Sequence, residues 1–144
     1  MNIFAKSLLV AFSSEYTFYQ KAQNYHWNVE GYRFTTLHPF FGDIYTEVYA
    51  DIDAYAENIR SLRIKIPSNL NSISALKFDD MGGDMTADEM IESLLHDSIK
   101  LTNMFKTLIH MAGDNGEFGV HDFLIKRMAA HRKYEWMLRS ILVD

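Results

Sequence analysis

Four residues in the first half of the chain have types and spacings that suit metal chemistry: His26, His38, Asp53 and Glu57. Imidazole together with carboxylate is the ligand set of non-haem iron, and of zinc or manganese as well. Asp53 and Glu57 stand one helical turn apart, so their carboxylates share a face and can chelate together. His38 and Asp53, in contrast, are separated by fifteen residues of one expected helix, roughly 22 Å along its axis. No single ion can touch both within one chain. If both pairs are ligands, a second subunit running antiparallel completes the site. His26 and His38 then come from one chain and Asp53 and Glu57 from its two-fold mate, giving two identical sites per dimer. Singly, each residue has a plainer reading: a hydrogen-bonded histidine at a helix end, a polar residue in a first turn, a solvated acidic face. Only the four together carry the metal reading.

The elements that must position these residues are helices. Phe4, Leu8, Phe12, Tyr16, Tyr19, Ala22 and His26 recur at steps of three and four, the stripe of a first helix that stops near Asn28–Gly31. A second helix is expected from Thr36, as cap, with Pro39 in its first turn. Its stripe is Ile44, Val48, Ile52, Tyr55, Ile59 and Leu62; it reaches about Lys65 and is closed by Pro67. A polar connection from Ser68 to Asp84 follows, with a short helix expected around Ile73–Phe78 and a Gly82-Gly83 end. The third helix opens on a capping box, Thr86-Ala87-Asp88-Glu89, and runs through Ile91, Leu94, Leu101 and Phe105 to Ala112. After Gly113–Gly116 a fourth helix carries Val120, Leu124, Tyr134, Leu138 and Leu142. The expected fold is all-α: a four-helix bundle whose long crossover lets the second and third helices run parallel.

Composition fits one domain over residues 1–144, with 48% apolar and 23% charged residues, enough to bury a core. The absence of cysteine excludes disulfide scaffolds, thiolate zinc sites and cysteine nucleophiles. No run approaches the roughly 18 apolar residues of a membrane span, so no membrane partner is expected and a cytoplasmic location is. Fourteen basic residues against nineteen acidic give a net charge of −5, which repels phosphate backbones and attracts small cations. Neither MNIFAKSLLV nor the residues from Arg139 to Asp144 form a basic arm, so DNA binding is expected to be weak or absent.

The segment from His26 to Glu57 closely resembles the signature of the Dps family of mini-ferritins. The matching positions are His26-Trp27-Asn28, then Leu37-His38, then Asp53-Ala54-Tyr55-Ala56-Glu57. The stretch from His131 to Arg139 also looks like that family's last helix, and the likeness covers nearly the whole chain. It implies a ferritin-like bundle assembled from two-fold dimers into a hollow shell of twelve subunits. It also implies a ferroxidase-type oxidoreductase in which His26, His38, Asp53 and Glu57 bind Fe²⁺ at an inter-subunit centre. Iron would be oxidised there, preferably by hydrogen peroxide, and stored inside as ferric mineral, protecting against oxidative damage. The family usually has an aspartate one turn after the second histidine; here that position is Gly42, and the adjacent Asp43 points about 100° around the helix. Acidic pores are loosely represented by Asp114, Glu117 and Asp122.

Two other functions stand beside this one: a DNA-compacting nucleoid protein, against which the net charge argues, and a metal-buffering shell weakened in ferroxidase activity by Gly42. Glu92 with His96, Glu117 with His121 and His131 with Glu135 also stand four apart, and are read as surface hydrogen-bonded pairs. Trp27, next to His26, is the aromatic best placed to quench oxidising equivalents, whereas the eight tyrosines and eight methionines are read as core filler.

Overall fold

Asn2 starts the first helix: its side-chain oxygen accepts the N–H of Ala5 at 2.8 Å, satisfying one donor that the first turn leaves free. From there the computed structural model, which describes residues 2–79 and 84–143, runs as four long helices. They are α1 (Ile3–Asn28), α2 (Phe34–Ser61), α3 (Ala87–Asp114) and α4 (Phe118–Leu142), with one turn of 3₁₀ helix at Asn71–Ile73. No strand occurs among the described residues.

Each helix is held by a local cause. α1 ends where Val29 turns extended and Gly31 takes a left-handed φ of +109° that a side chain would resist. α2 starts two residues earlier than the Thr36 cap expected from sequence. Arg33 precedes it without a side-chain cap, and its carbonyl accepts from Thr36 and Leu37. Pro39 therefore lies beyond the first turn, where its missing N–H leaves the Thr35 carbonyl without its usual helical donor. The helix also stops earlier than Lys65, because Arg63 adopts a left-handed φ of +66° that ends the ladder before Pro67 is reached. Both halves of the Thr86–Glu89 capping box are made, each at 3.1 Å.

Antiparallel pairing of α1 with α2 follows from their contacts. Phe12 meets Tyr55, while Tyr19, seven residues on, meets Tyr45 and Tyr49. Against α3, Tyr25 reaches Ser93 and Lys21 reaches Asp97, again in opposite order. Helices α2 and α3 therefore run in the same direction, which is what the crossover permits. Among its described residues the crossover forms no helix after Ile73; its 3₁₀ turn, Asn71–Ile73, meets only the first residue of the expected Ile73–Phe78 helix, and side-chain bonds fix Ser74 and Ala75. Ser14 accepts from the Ala75 N–H at 2.9 Å, Thr17 bonds Ser74 at 2.8 Å, and Lys100 donates to the Ala75 carbonyl at 2.8 Å. Gly82 and Gly83 lie outside the described residues.

The core takes Leu8, Phe12, Phe18 and Ala22 from α1 and Phe41, Ile44, Val48 and Ile59 from α2. From α3 and α4 it takes Leu94, Leu101, Phe105, Leu124 and Leu138. The expected stripe of α1 is corrected in its second half. Phe18 and Tyr25 are buried, whereas Tyr16, Tyr19 and His26 are only half-buried, on the flank shared with α2.

Candidate metal centre

The tight link between α1 and α2 brings the two histidines of the sequence pattern face to face. The His26 and His38 rings stack with centroids 3.8 Å apart and 14° between planes. The Nδ1 of His26 lies 2.5 Å from the carbonyl oxygen of His38, and the Nδ1 of His38 lies 2.6 Å from that of His26. A carbonyl can only accept, so both Nδ1 atoms are the protonated ones in these bonds. Both Nε2 lone pairs are thereby left free for a metal, with the ring orientations set by backbone groups.

Gly42 is part of this arrangement. A Cβ built on it would lie 3.0 Å from two atoms of the His26 ring. The space next to the position where the resemblance would put an aspartate is thus taken by His26 itself. Asp43 is exposed.

Asp53 and Glu57 form the second pair. Hydrogen bonding to Asp53, followed by the Asp53 charge, raises the Glu57 pKa above its ordinary value. Both are exposed. Two carboxylates on an open face without a cation repel unless a proton or metal sits between them. Between the two pairs, the outer face of α2 carries Tyr45, Tyr49, Ile52 and Ala56, with Tyr49 exposed and the other three half-buried. Tyr45 lies 5.3 Å from His26 and 5.9 Å from Tyr19, so the strip is continuous with the histidine pair. Within one chain, the histidine pair and the carboxylate pair stay apart. Among the described residues no three His, Asp or Glu side chains form a group able to hold a metal.

The remaining pairs singled out from sequence fare differently. His96 is exposed and its nearest acidic partner is Asp97, at 3.8 Å, rather than Glu92. Asp122 of the loosely matched pore residues lies 3.5 Å from Lys126. Trp27 is 62% exposed. The reading of His131 and Glu135 as a surface pair is corrected. Both are buried; His131 bonds Glu15 at 2.6 Å and Ser98 at 3.2 Å, and Glu135 accepts from Thr102 at 2.7 Å. The signal that placed them inside was present: 124, 127, 131, 134 and 138 are successive three- and four-residue steps along the buried stripe of α4. What sequence reading missed is Glu15 and Arg127, which complete this buried network.

Against known proteins, the ferritin-like domain family matches residues 6–144. The chain is 32% identical over 125 residues to the DNA protection during starvation protein of Brevibacillus brevis, covering 86% of this chain and 84% of that protein. It is 31% identical over 125 residues to general stress protein 20U of Bacillus subtilis, covering 86% of each. The crystal structure of a Dps protein from Bacillus brevis superposes with a TM-score of 0.90 at 30% identity, covering 98% of this chain and 95% of that one.

Proposed function

For a chain that belongs to the Dps family within the ferritin-like proteins, we propose an iron-storing ferroxidase whose centre forms between two copies. Iron is the substrate. Fe²⁺ is held by His26 and His38 of one subunit and by Asp53 and Glu57 of an antiparallel mate. The observation that carries this reading is the reciprocal pairing of the two histidines. It leaves both Nε2 lone pairs unclaimed by these bonds, and among the described residues no third His, Asp or Glu of the same chain completes a metal-holding group with them.

The chemistry divides between the two pairs. Neutral imidazoles hold Fe²⁺ without adding charge, and carboxylates favour the Fe³⁺ product. Hydrogen peroxide takes one electron from each of two Fe²⁺ ions and, with two protons, leaves as two waters. The O–O bond breaks without releasing a hydroxyl radical. Protons and metal compete for the Asp53–Glu57 carboxylates. Ferric product then collects inside a homo-oligomeric shell, for which twelve subunits is the family expectation; zinc or manganese fit the same donors. No described helix is long and apolar enough to cross a membrane.

A double variant, His26→Ala with Asp53→Ala, tests the assignment. It is expected to remove fast Fe²⁺ oxidation by peroxide, read by the absorbance of the ferric product. Oxidation as fast as in the parent protein would place the site elsewhere.

A further inference from the structure

The imidazole of His38 has a ring stacked on each side. His26 lies against one face, with centroids 3.8 Å apart and 14° between planes, and Phe34 lies at 5.0 Å and 21°. Two rings this close and this nearly parallel would overlap if they shared a face, so Phe34 takes the side that His26 leaves. Helical spacing explains the meeting. Residues 34 and 38 are four apart on α2, and a helical side chain leans back over the turn before it. Phe34 is also the first residue of α2, and its N–H bonds the Gly31 carbonyl at 3.1 Å. The turn in front of it is tied to the first turn of α3 by Arg33, whose Nη2 lies 2.5 Å from an Asp88 oxygen.

The Phe34 ring is not spent on the core. It stays 41% exposed and stands outside the set of buried apolar side chains. His38, in turn, needs what the ring supplies. Its Nδ1 bonds the His26 carbonyl at 2.6 Å, which fixes one atom and leaves the ring free to swing about that bond. The terminal torsion of a histidine is broad and roughly two-fold, so a flipped ring is within reach as well. A ring on each face removes the swing and obstructs the flip. His26 is confined from its own side, since a Cβ on Gly42 would lie 3.0 Å from two of its ring atoms. The confinement of His38 falls to Phe34.

We propose that Phe34 is a positioning residue of the metal centre, its ring clamping His38 in the one plane and tautomer that leave Nε2 unprotonated and fixed in direction. Phe34 touches no metal and acts only through the imidazole. Its bearing on metal rests on the function proposed above; the clamp on the imidazole does not.

The test compares the parent with Phe34→Leu, which keeps apolar bulk without a flat face, and with Phe34→Tyr, which keeps the flat face. The first readout is nuclear magnetic resonance of metal-free, nitrogen-15-histidine-labelled protein at mildly alkaline pH, with His38 assigned by the loss of its signals in His38→Ala. A single Nδ1–H tautomer is expected in the parent and in Phe34→Tyr, and a tautomer mixture in Phe34→Leu. The second readout is Zn²⁺ titration. Phe34→Leu is expected to bind about tenfold more weakly, the usual loss on removing an orienting group, with Phe34→Tyr close to the parent and helical circular dichroism alike in all three. A folded Phe34→Leu protein whose His38 keeps the single tautomer, or whose Zn²⁺ affinity is unchanged, overturns the proposal. So does a Phe34→Tyr protein that behaves like Phe34→Leu. If Phe34→Leu does not fold, Phe34→Met carries the same comparison. Should Zn²⁺ bind the parent no more tightly than His26→Ala, the interface function fails instead, and the metal-free tautomer still decides the clamp.

Discussion

Gly42 stands where a side chain would press on His26, at 3.0 Å from two of its ring atoms. Two effects of Gly42→Ala therefore oppose each other. Alanine favours a helix interior over glycine by up to about 1 kcal/mol, while its methyl group displaces a ring that backbone hydrogen bonds hold in place. The expected outcome is unchanged or slightly raised thermal stability with divalent-metal affinity lowered about tenfold, the usual size of an orienting-group effect. Paired thermal melts and Zn²⁺ titrations check it, and an unaltered affinity would show that ring position is immaterial. The Asp53–Glu57 pair has its own signature. Glu57 keeps its proton to higher pH than an ordinary glutamate, because Asp53 bonds and repels it. Protons compete with metal for the pair, so metal binding there is expected to weaken on acidification, and Asp53→Asn should flatten the dependence. The residues of the proposed metal centre could be named from sequence because metal-ligand chemistry needs particular side-chain types at particular spacings, and the structure brings His26 and His38 together. Glu15 and Arg127 could not: their partners lie 112 residues apart along the chain, and nothing local marks a glutamate in α1 as buried.

At the scale of elements, periodicity revealed four helices, and two expected ends were wrong for reasons of local backbone. Arg63 at a left-handed φ has no distinctive residue type to announce it. The crossover was opaque for a different reason, since it owes its course to bonds with α1 and α3. Lys21, buried at 4% exposure, pairs with Asp97 at 2.6 Å and with Asp79 of the crossover at 3.5 Å. Tyr25 and Ser93 also bond Asp79. Burial raises the Asp97 pKa despite the neighbouring ammonium. Asp97→Ala would leave the buried Lys21 ammonium only its longer contact with Asp79 and is expected to cost up to about 3–5 kcal/mol, against about 1 kcal/mol for Thr86→Ala, which removes only a cap. Urea denaturation of both variants gives the comparison; equal losses would mean the Lys21 clamp contributes little.

The whole molecule should respond to acid through its centre. Burial alone would raise the Glu15 pKa, but Arg127 and then His131 outweigh it and hold the group at about 2, below its ordinary 4.5. A carboxylate with a depressed folded-state pKa stabilises above its ordinary value and loses that contribution as pH falls from about 4.5 toward 2. Urea midpoints across that range should decline less steeply in Glu15→Gln than in the parent. At neutral pH the net charge of −5 predicts no retardation of duplex DNA at about 0.15 M salt. The central claim, that neither chain holds a complete site, is tested most directly by mixing subunits. One variant lacks both histidines, His26→Ala with His38→Ala; the other lacks both carboxylates, Asp53→Ala with Glu57→Ala. Each alone should fail to oxidise Fe²⁺ rapidly. After dissociation and random reassembly, half the dimers are mixed and each regains one intact centre, so rapid oxidation returns to roughly a quarter of the parent level. A mixture as inactive as its components, or a carboxylate-free variant active alone, would contradict it.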